Sequence, residues 1–203
     1  MTNQEGYIKF QCEWEKKNFT FSKKNFKTIN EWRKKLYDHE LLGVNMEGLG
    51  FGNLSIREEN TSRFIITGSE TGRHEELSKN HYARVIDYDI ANNYVKCVGQ
   101  VKASSESLTH AAIYESAAEV NGVIHTHHEK LWKLLKNKLP TTDPKAEFGT
   151  PEMAKEIKKL MERRDVLIEK IIIMGGHKDG IITFGRDLDE AGGVLLKYFN
   201  QIG

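Results

Sequence analysis

The chain reads as one α/β domain with a largely antiparallel sheet covered by helices. Its 203 residues suit one domain with one sizeable core, whereas two domains would each be small. Segments of two-residue apolar alternation are interleaved with segments of helical period. Several connections between strands are also much shorter than the roughly dozen residues that a parallel crossover needs.

Residues 1–27 read as an N-terminal extension whose structure the sequence leaves open. Its opening, "MTNQEGYIKFQCEWEKKNF", is polar and lacks the apolar stretch of a secretory leader. The basic run "KKNFTFSKKNFK" (16–27) alternates charge with phenylalanine and reads as a solvated strand or loop; its rival, nucleic-acid contact, predicts salt-sensitive binding. "TINEWRKKLYDHELLG" is an amphipathic helix, capped by Thr28 or Asn30, with Ile29, Trp32 and Leu36 on one face and Gly43 as its stop. "NLSIR" and "RFIITGS" are strands joined by "EENTS", and "RVIDYDI" and "YVKCVGQV" form a second pair around "ANN".

In "ESLTHAAIYESAAEVNGVIHTHH" a helix runs through a turn into a strand, and the helical "EKLWKLLKNKL" ends before Pro140. Thr150 and Pro151 suit the cap and first turn of a helix burying Met153, Ile157, Leu160 and Met161. The chain closes with strand "IIIM", loop "GGHKDG", strand "IITFG" and a helix from about Asp187, where Asp187 and Glu190 have capping-box spacing.

Thirty basic residues against 29 acidic ones leave a formal charge of +1, so no global field draws the chain to nucleic acid or an anionic membrane. Any bound anion must be held locally. Cys12 and Cys97 lie far apart in sequence and suggest neither a disulfide framework nor a metal cluster. No stretch approaches the roughly 18 apolar residues of a membrane span. A cytoplasmic protein is expected.

The chemistry concentrates around "GVIHTHHEK" (122–130). On a strand, His125 and His127 share one face while Thr126 and His128 take the other, leaving His128 a structural role. Two imidazoles on one face can share an ion, but a catalytic zinc site usually takes three protein ligands and keeps one position open. His177, in the glycine-flanked loop "GGHKDG", is the best third candidate. Upstream, Ser104, Ser105 and Glu106 precede or open a helix, where free backbone N–H groups and the helix dipole favour an anion; an ordinary N-cap would look the same. A carboxylate beside a metal pair can also act as general acid/base. The turns "GFGNLS" and "ITGSETG" add unhindered N–H groups beside Asn53, Thr67, Ser69 and Thr71, though either could be a plain hairpin turn. Neither has a Walker A or dinucleotide pattern.

Taken in order, "GFGNLSIR", "FIITGSETG", "KASSESLTHAAIY", "VNGVIHTHH" and "GGHKDGIITFG" resemble the class II aldolase/adducin family, which includes fuculose-phosphate aldolases. The resemblance runs from about Ile29 to the C-terminus. It implies a three-layer α/β/α sandwich with a central, mainly antiparallel sheet, and a homotetramer with active sites at subunit interfaces. Carried onto this chain, it makes Gly52, Asn53, Thr67, Gly68, Ser104 and Ser105 the phosphate site, Glu106 the acid/base, and His125, His127 and His177 the ligands of Zn2+ or another divalent ion such as Mn2+ or Co2+. Two positions depart from the family. Ala103 replaces the usual proline before the serine pair. His177-Lys178-Asp179-Gly180 replaces a direct His-Gly, so aligning on the glycine makes Asp179 the third ligand, whereas a three-imidazole set makes it His177.

The implied activity is a metal-dependent lyase that cleaves a small ketose phosphate by reversible aldol chemistry through a zinc-stabilised enediolate, with Glu106 moving the proton. Dehydration or 4-epimerisation would use the same site. A non-catalytic, adducin-like assembly module is the rival from another class, and it would have no need of these ligands. Tyr114 and Tyr198 read as structural. The span from His128 to Phe148 leaves less chain to cover a substrate than larger relatives have.

Overall fold

A computed structural model describes residues 7–59 and 61–202; positions 1–6 of the N-terminal extension lie outside the described residues. The elements in chain order are β1 (Gln11–Glu15), α1 (Lys23–Asp38), β2 (Gly43–Val44), β3 (Gly50–Phe51), β4 (Asn53–Arg57), β5 (Phe64–Thr67), β6 (Tyr82–Asp89), β7 (Tyr94–Gly99), α2 (Ser107–Ser116), β8 (Gly122–His127), α3 (Glu129–Leu135), α4 (Pro151–Met161), α5 (Arg164–Glu169), β9 (Ile171–Ile173), β10 (Gly180–Gly185) and α6 (Leu188–Phe199). Eight strands make one sheet in the order β1-β7-β6-β5-β4-β8-β10-β9, and β2 and β3 form a separate small ribbon. Within the large sheet every neighbouring pair is antiparallel except β1 and β7, which run parallel. None of the helices is long and apolar enough to cross a membrane, among the described residues.

The two-residue alternation of the strands sorts their side chains into two apolar clusters. Phe64, Ile66, Val85, Val123 and Ile182 pack with α2 and α4. Leu54, Ile65, Ile124 and Ile181 pack with α1, α3 and α6. Helices therefore cover both faces of the sheet. The face beneath α2 and α4 carries the candidate chemistry.

The helix boundaries differ from the sequence expectation at the N-terminal end. Helix α1 starts at Lys23, with Ser22 as its cap accepting from the Asn25 N–H at 3.1 Å; Thr28 and Asn30 lie inside the helix. The run 16–27 is thus partly helical. Its aromatic side chains turn inward, with Phe21 and Phe26 meeting Tyr82 edge-on at 5.3 and 6.0 Å. That packing gives the first turns of the helix an apolar face to bury, which stabilises its longer extent. At α6, Asp187 accepts from the Glu190 N–H, but the Glu190 carboxylate takes the Arg186 N–H and Lys170 instead of closing a capping box.

Helix α2 is buried from Ser107 to Tyr114. It is pinned to the sheet by a polar network, because the Ser55 hydroxyl of β4 lies 2.7 Å from both His110 Nδ1 and the Tyr114 hydroxyl. Glu106, His110 and Tyr114 stand at successive four-residue spacings and so line one helix face. Burial pushes the His110 imidazole down from its ordinary 6.5 to about 3. Tyr114 and Tyr198 are both in hydrogen bonds within the fold, to Ser55 and Glu169 respectively.

The unfolded chain takes a proton on His110 near its ordinary pKa while the folded chain resists it, so stability is lost as pH falls from about 6.5 towards 3, at up to about 1.4 kcal/mol per pH unit from this one group. Urea melts at stepped pH should show a shallower acid slope for His110→Gln, and equal slopes would contradict a neutral buried imidazole. At Gly52, φ is +78° and an added Cβ would sit 2.5 Å from Leu42 Cβ and 3.2 Å from the His125 carbonyl oxygen. Gly52→Ala should therefore cost at least about 2 kcal/mol. Gly193→Ala, on the open side of α6 with nothing within 4 Å, should instead gain up to about 1 kcal/mol in the same melts.

Candidate metal and anion site

Strand β8 projects His125 and His127 towards the α2 side of the sheet, and the β9–β10 loop brings His177 over them. Ring centroids stand 4.9 Å apart for His125 and His127, 5.1 Å for His125 and His177, and 4.5 Å for His127 and His177. One ring nitrogen from each lies within 4.8 Å of the others. His125 Nε2 and His127 Nε2 are 3.1 Å apart. His125 Nδ1 faces the Ile181 carbonyl oxygen at 3.2 Å, and because a carbonyl only accepts, the proton sits on Nδ1 and Nε2 keeps its lone pair. Burial first, then the neighbouring His127 and His177, hold the His125 pKa well below the usual range. A buried imidazole kept neutral, with its lone pair towards two others, matches the donor set of a divalent transition metal.

The remaining histidine of the "HTHH" run is spent elsewhere. His128 caps α3, its Nδ1 accepting from the Leu131 N–H at 3.1 Å. Asp179 is not in the three-imidazole cluster. Its backbone is left-handed, with φ at 64°, and its carbonyl accepts from the His128 N–H. Its side chain lines an adjoining open cleft of about 640 Å³, shared with Met46, Phe51, His127 and Lys178. Burial raises the Asp179 carboxyl above the ordinary aspartate range.

Glu106 occupies the cap position of α2 and is 1% exposed. Its Oε2 accepts from the Thr109 hydroxyl at 2.6 Å, and its Oε1 lies 3.8 Å from His177 Nδ1. The residue thus sits at the positive end of a helix, where negative charge is favoured, and against the imidazole cluster. Ser104 precedes it, its hydroxyl accepting from the Glu106 N–H at 3.3 Å and its carbonyl from the Ser107 N–H and hydroxyl.

The proposed anion-binding residues come together through the sheet register. Asn53 pairs with His125, so the Gly52-Asn53 turn abuts the imidazoles. The Leu54 N–H donates to the Thr67 hydroxyl at 3.2 Å, and Gly68 bridges to Ala103 just ahead of Ser104 and Ser105. All six residues thus form one strip beside the histidines. Asn53 Oδ1 is buried without a hydrogen-bond partner among the described residues, as a group awaiting a donor would be. Ser69 and Thr71 belong to the following turn, where the Thr71 hydroxyl donates to the Gly68 carbonyl and holds it in place.

Two neighbours of the site were not foreseen from the sequence. Phe148 stacks on His177 at 4.3 Å with ring planes 19° apart, and the Lys9 ammonium lies 3.8 Å from the Phe148 centroid. No local pattern marks either residue, since each reaches the site only through tertiary packing. His110 had a readable signal in its four-residue spacing from Glu106.

The sequence profile of the Class II Aldolase and Adducin N-terminal domain matches residues 37–197. An L-fuculose phosphate aldolase of Methanocaldococcus jannaschii is 29% identical over 171 residues, covering 78% of this chain and 82% of that protein. Among solved structures, an L-fuculose 1-phosphate aldolase superposes with a TM-score of 0.68 at 22% identity, over 90% of this chain and 85% of the other. A sugar-phosphate aldolase from Thermotoga maritima gives a TM-score of 0.61 at 16% identity, over 85% of this chain and 89% of its own. These structural likenesses speak for the fold, and the profile match spans most of the chain. The protein belongs to the class II aldolase and adducin family.

Proposed function

We propose that the protein is a divalent-metal-dependent carbon–carbon lyase that cleaves a small ketose phosphate reversibly, within a three-layer α/β/α fold. The observation that carries this reading is the convergence of His125, His127 and His177 within 4.8 Å, with the Glu106 carboxylate 3.8 Å from His177. The three histidines would hold Zn2+, Mn2+ or Co2+. When bound, such an ion supplies Lewis-acid polarisation of substrate oxygens.

The protein's own groups do the rest. Retro-aldol cleavage breaks a carbon–carbon bond, releases one fragment as an aldehyde as its hydroxyl gives up a proton, and leaves the bonding pair on the other fragment, which takes a proton at carbon. Glu106, buried and held by Thr109, would deliver that proton and take it back in the synthetic direction. Gly52, Asn53, Thr67, Gly68, Ser104 and Ser105 would bind the phosphate through N–H and hydroxyl donors. That fixes the reacting carbons against Glu106 and shields them from water. In the homotetramer that the family resemblance implies, with sites at subunit boundaries, the exposed Met46 and Val44 on the rim of the cleft would be covered by a neighbouring subunit.

Metal-stripped protein reloaded with zinc, manganese or cobalt should turn over at least one of the fuculose, rhamnulose, ribulose or methylthioribulose phosphates. Aldehyde release marks cleavage, as against dehydration or epimerisation. Failure of the protein to retain any divalent ion would overturn the reading. Glu106→Gln should keep the metal but lose about 10²- to 10⁴-fold in kcat, with KM moving little. His125→Ala should lose the metal itself, read by elemental analysis.

A further inference from the structure

We infer that Phe148, clamped by Lys9 of the N-terminal strand region, is a positioning residue for His177. The inference rests on the proposal that His177 is a metal ligand. It adds that the third imidazole is set by a stack reaching back to a part of the chain outside the family match at residues 37–197.

The stack has three members. The Phe148 ring lies nearly parallel to the His177 imidazole at 4.3 Å, and the Lys9 ammonium stands 3.8 Å from the centroid of the same ring. Both approaches are close and over the ring, so imidazole and ammonium share Phe148 as a common contact. Lys9 is further held by the Phe148 carbonyl at 2.9 Å and by Glu147 at 3.4 Å, with its side chain only 17% exposed. It therefore grips both the ring and the backbone of the residue that covers His177.

Lys9 is itself placed by the sheet. Its carbonyl accepts from Asn93 Nδ2 at 3.0 Å, and the Gln11 N–H donates to the Asn93 carbonyl at 2.8 Å, where β1 begins its parallel pairing with β7. On the other side, the loop bearing His177 packs against the segment bearing Phe148: the Gly175 N–H donates to the Thr142 hydroxyl at 2.9 Å. An added Cβ at Gly176 would lie 1.9 Å from the Ala146 carbonyl oxygen. His125 and His127 are fixed by strand register, whereas His177 sits in a loop and takes its orientation from this packing. Groups that orient a ligating imidazole typically change metal affinity about 10- to 100-fold when removed.

The test is Co2+ binding to the full-length, metal-stripped chain, read by calorimetry and by the visible absorption of the bound ion, which reports coordination geometry. Phe148→Leu and Lys9→Met should each weaken Co2+ about 10-fold and alter the visible band. Phe148→Tyr, which keeps the ring, and Lys9→Arg, which keeps the cation, should stay close to wild type. Lys17→Ala, in the exposed pair with Glu15, serves as the control and should change neither readout. Folded Phe148→Leu and Lys9→Met proteins with wild-type affinity and an unshifted band would overturn the inference. If Phe148→Leu does not fold, Lys9→Met with its restoring Lys9→Arg decides alone. Should the wild-type chain take up no Co2+, the proposed function falls as well; should wild type load and the variants match it, only the positioning role falls.

Discussion

The position of β8 between β4 and β10 is the constraint on which the rest of the site depends. His125 is paired with Asn53 on one side and Ile182 on the other, and His127 with Gly180. Val123 and Ile124 are buried in the two opposite apolar clusters, so this strand has only one workable register. A slip of one residue would exchange the clusters' contents and turn both imidazoles to the α6 face. Hydrophobic sorting thus fixes which face the imidazoles take, and the Ile181 carbonyl then orients the His125 ring. The same ladder carries the Gly52-Asn53 turn to the histidines.

Gathering the buried His125, His177 and Glu106 with the half-buried His127 works against stability, and the fold limits the cost in two ways. It keeps His125 neutral by desolvation and assigns its tautomer through the Ile181 carbonyl, so no uncompensated cation is created. It also places Glu106 at the start of a helix with Thr109 as donor, where a buried negative charge finds favourable dipoles. What remains is a concentration of lone pairs and one carboxylate, which an added divalent cation would stabilise. A binding site preorganised in this way is less stable without its ligand than with it.

The sequence showed the parts governed by local rules. Strand alternation separated His125 and His127 from His128, and the Thr150-Pro151 cap and the Asp187 start of α6 lay where their chemistry put them. The strand pairs around "EENTS" and "ANN" formed with the expected partners. Features that depend on distant contacts were not legible. The alternation of Phe10, Cys12 and Trp14 with Gln11, Glu13 and Glu15 is itself readable as a strand, but its parallel partner β7 is not; α1 extends back to Lys23 because Tyr82 receives Phe21 and Phe26. The choice between His177 and Asp179 was open in the sequence because loop length alone cannot give direction. In three dimensions the imidazole joins the cluster, while the Asp179 backbone is committed to His128.

A strand alone cannot complete a metal site of this kind. Same-face positions on β8 lie about 6.8 Å apart along the chain, and they project nearly parallel side chains, so two ligands from one strand span only one side of an ion. The third has to arrive from another direction, which here means a loop crossing the end of the strand. Loops lack a ladder to hold them, and their precision has to come from packing. The β9–β10 loop obtains it from the 142–149 segment, through Thr142, Ala146 and Phe148. That segment in turn leans on Lys9. An edge strand that contributes no reacting group can therefore matter to the proposed chemistry, because the least constrained of the three imidazoles packs on the contacts it supports.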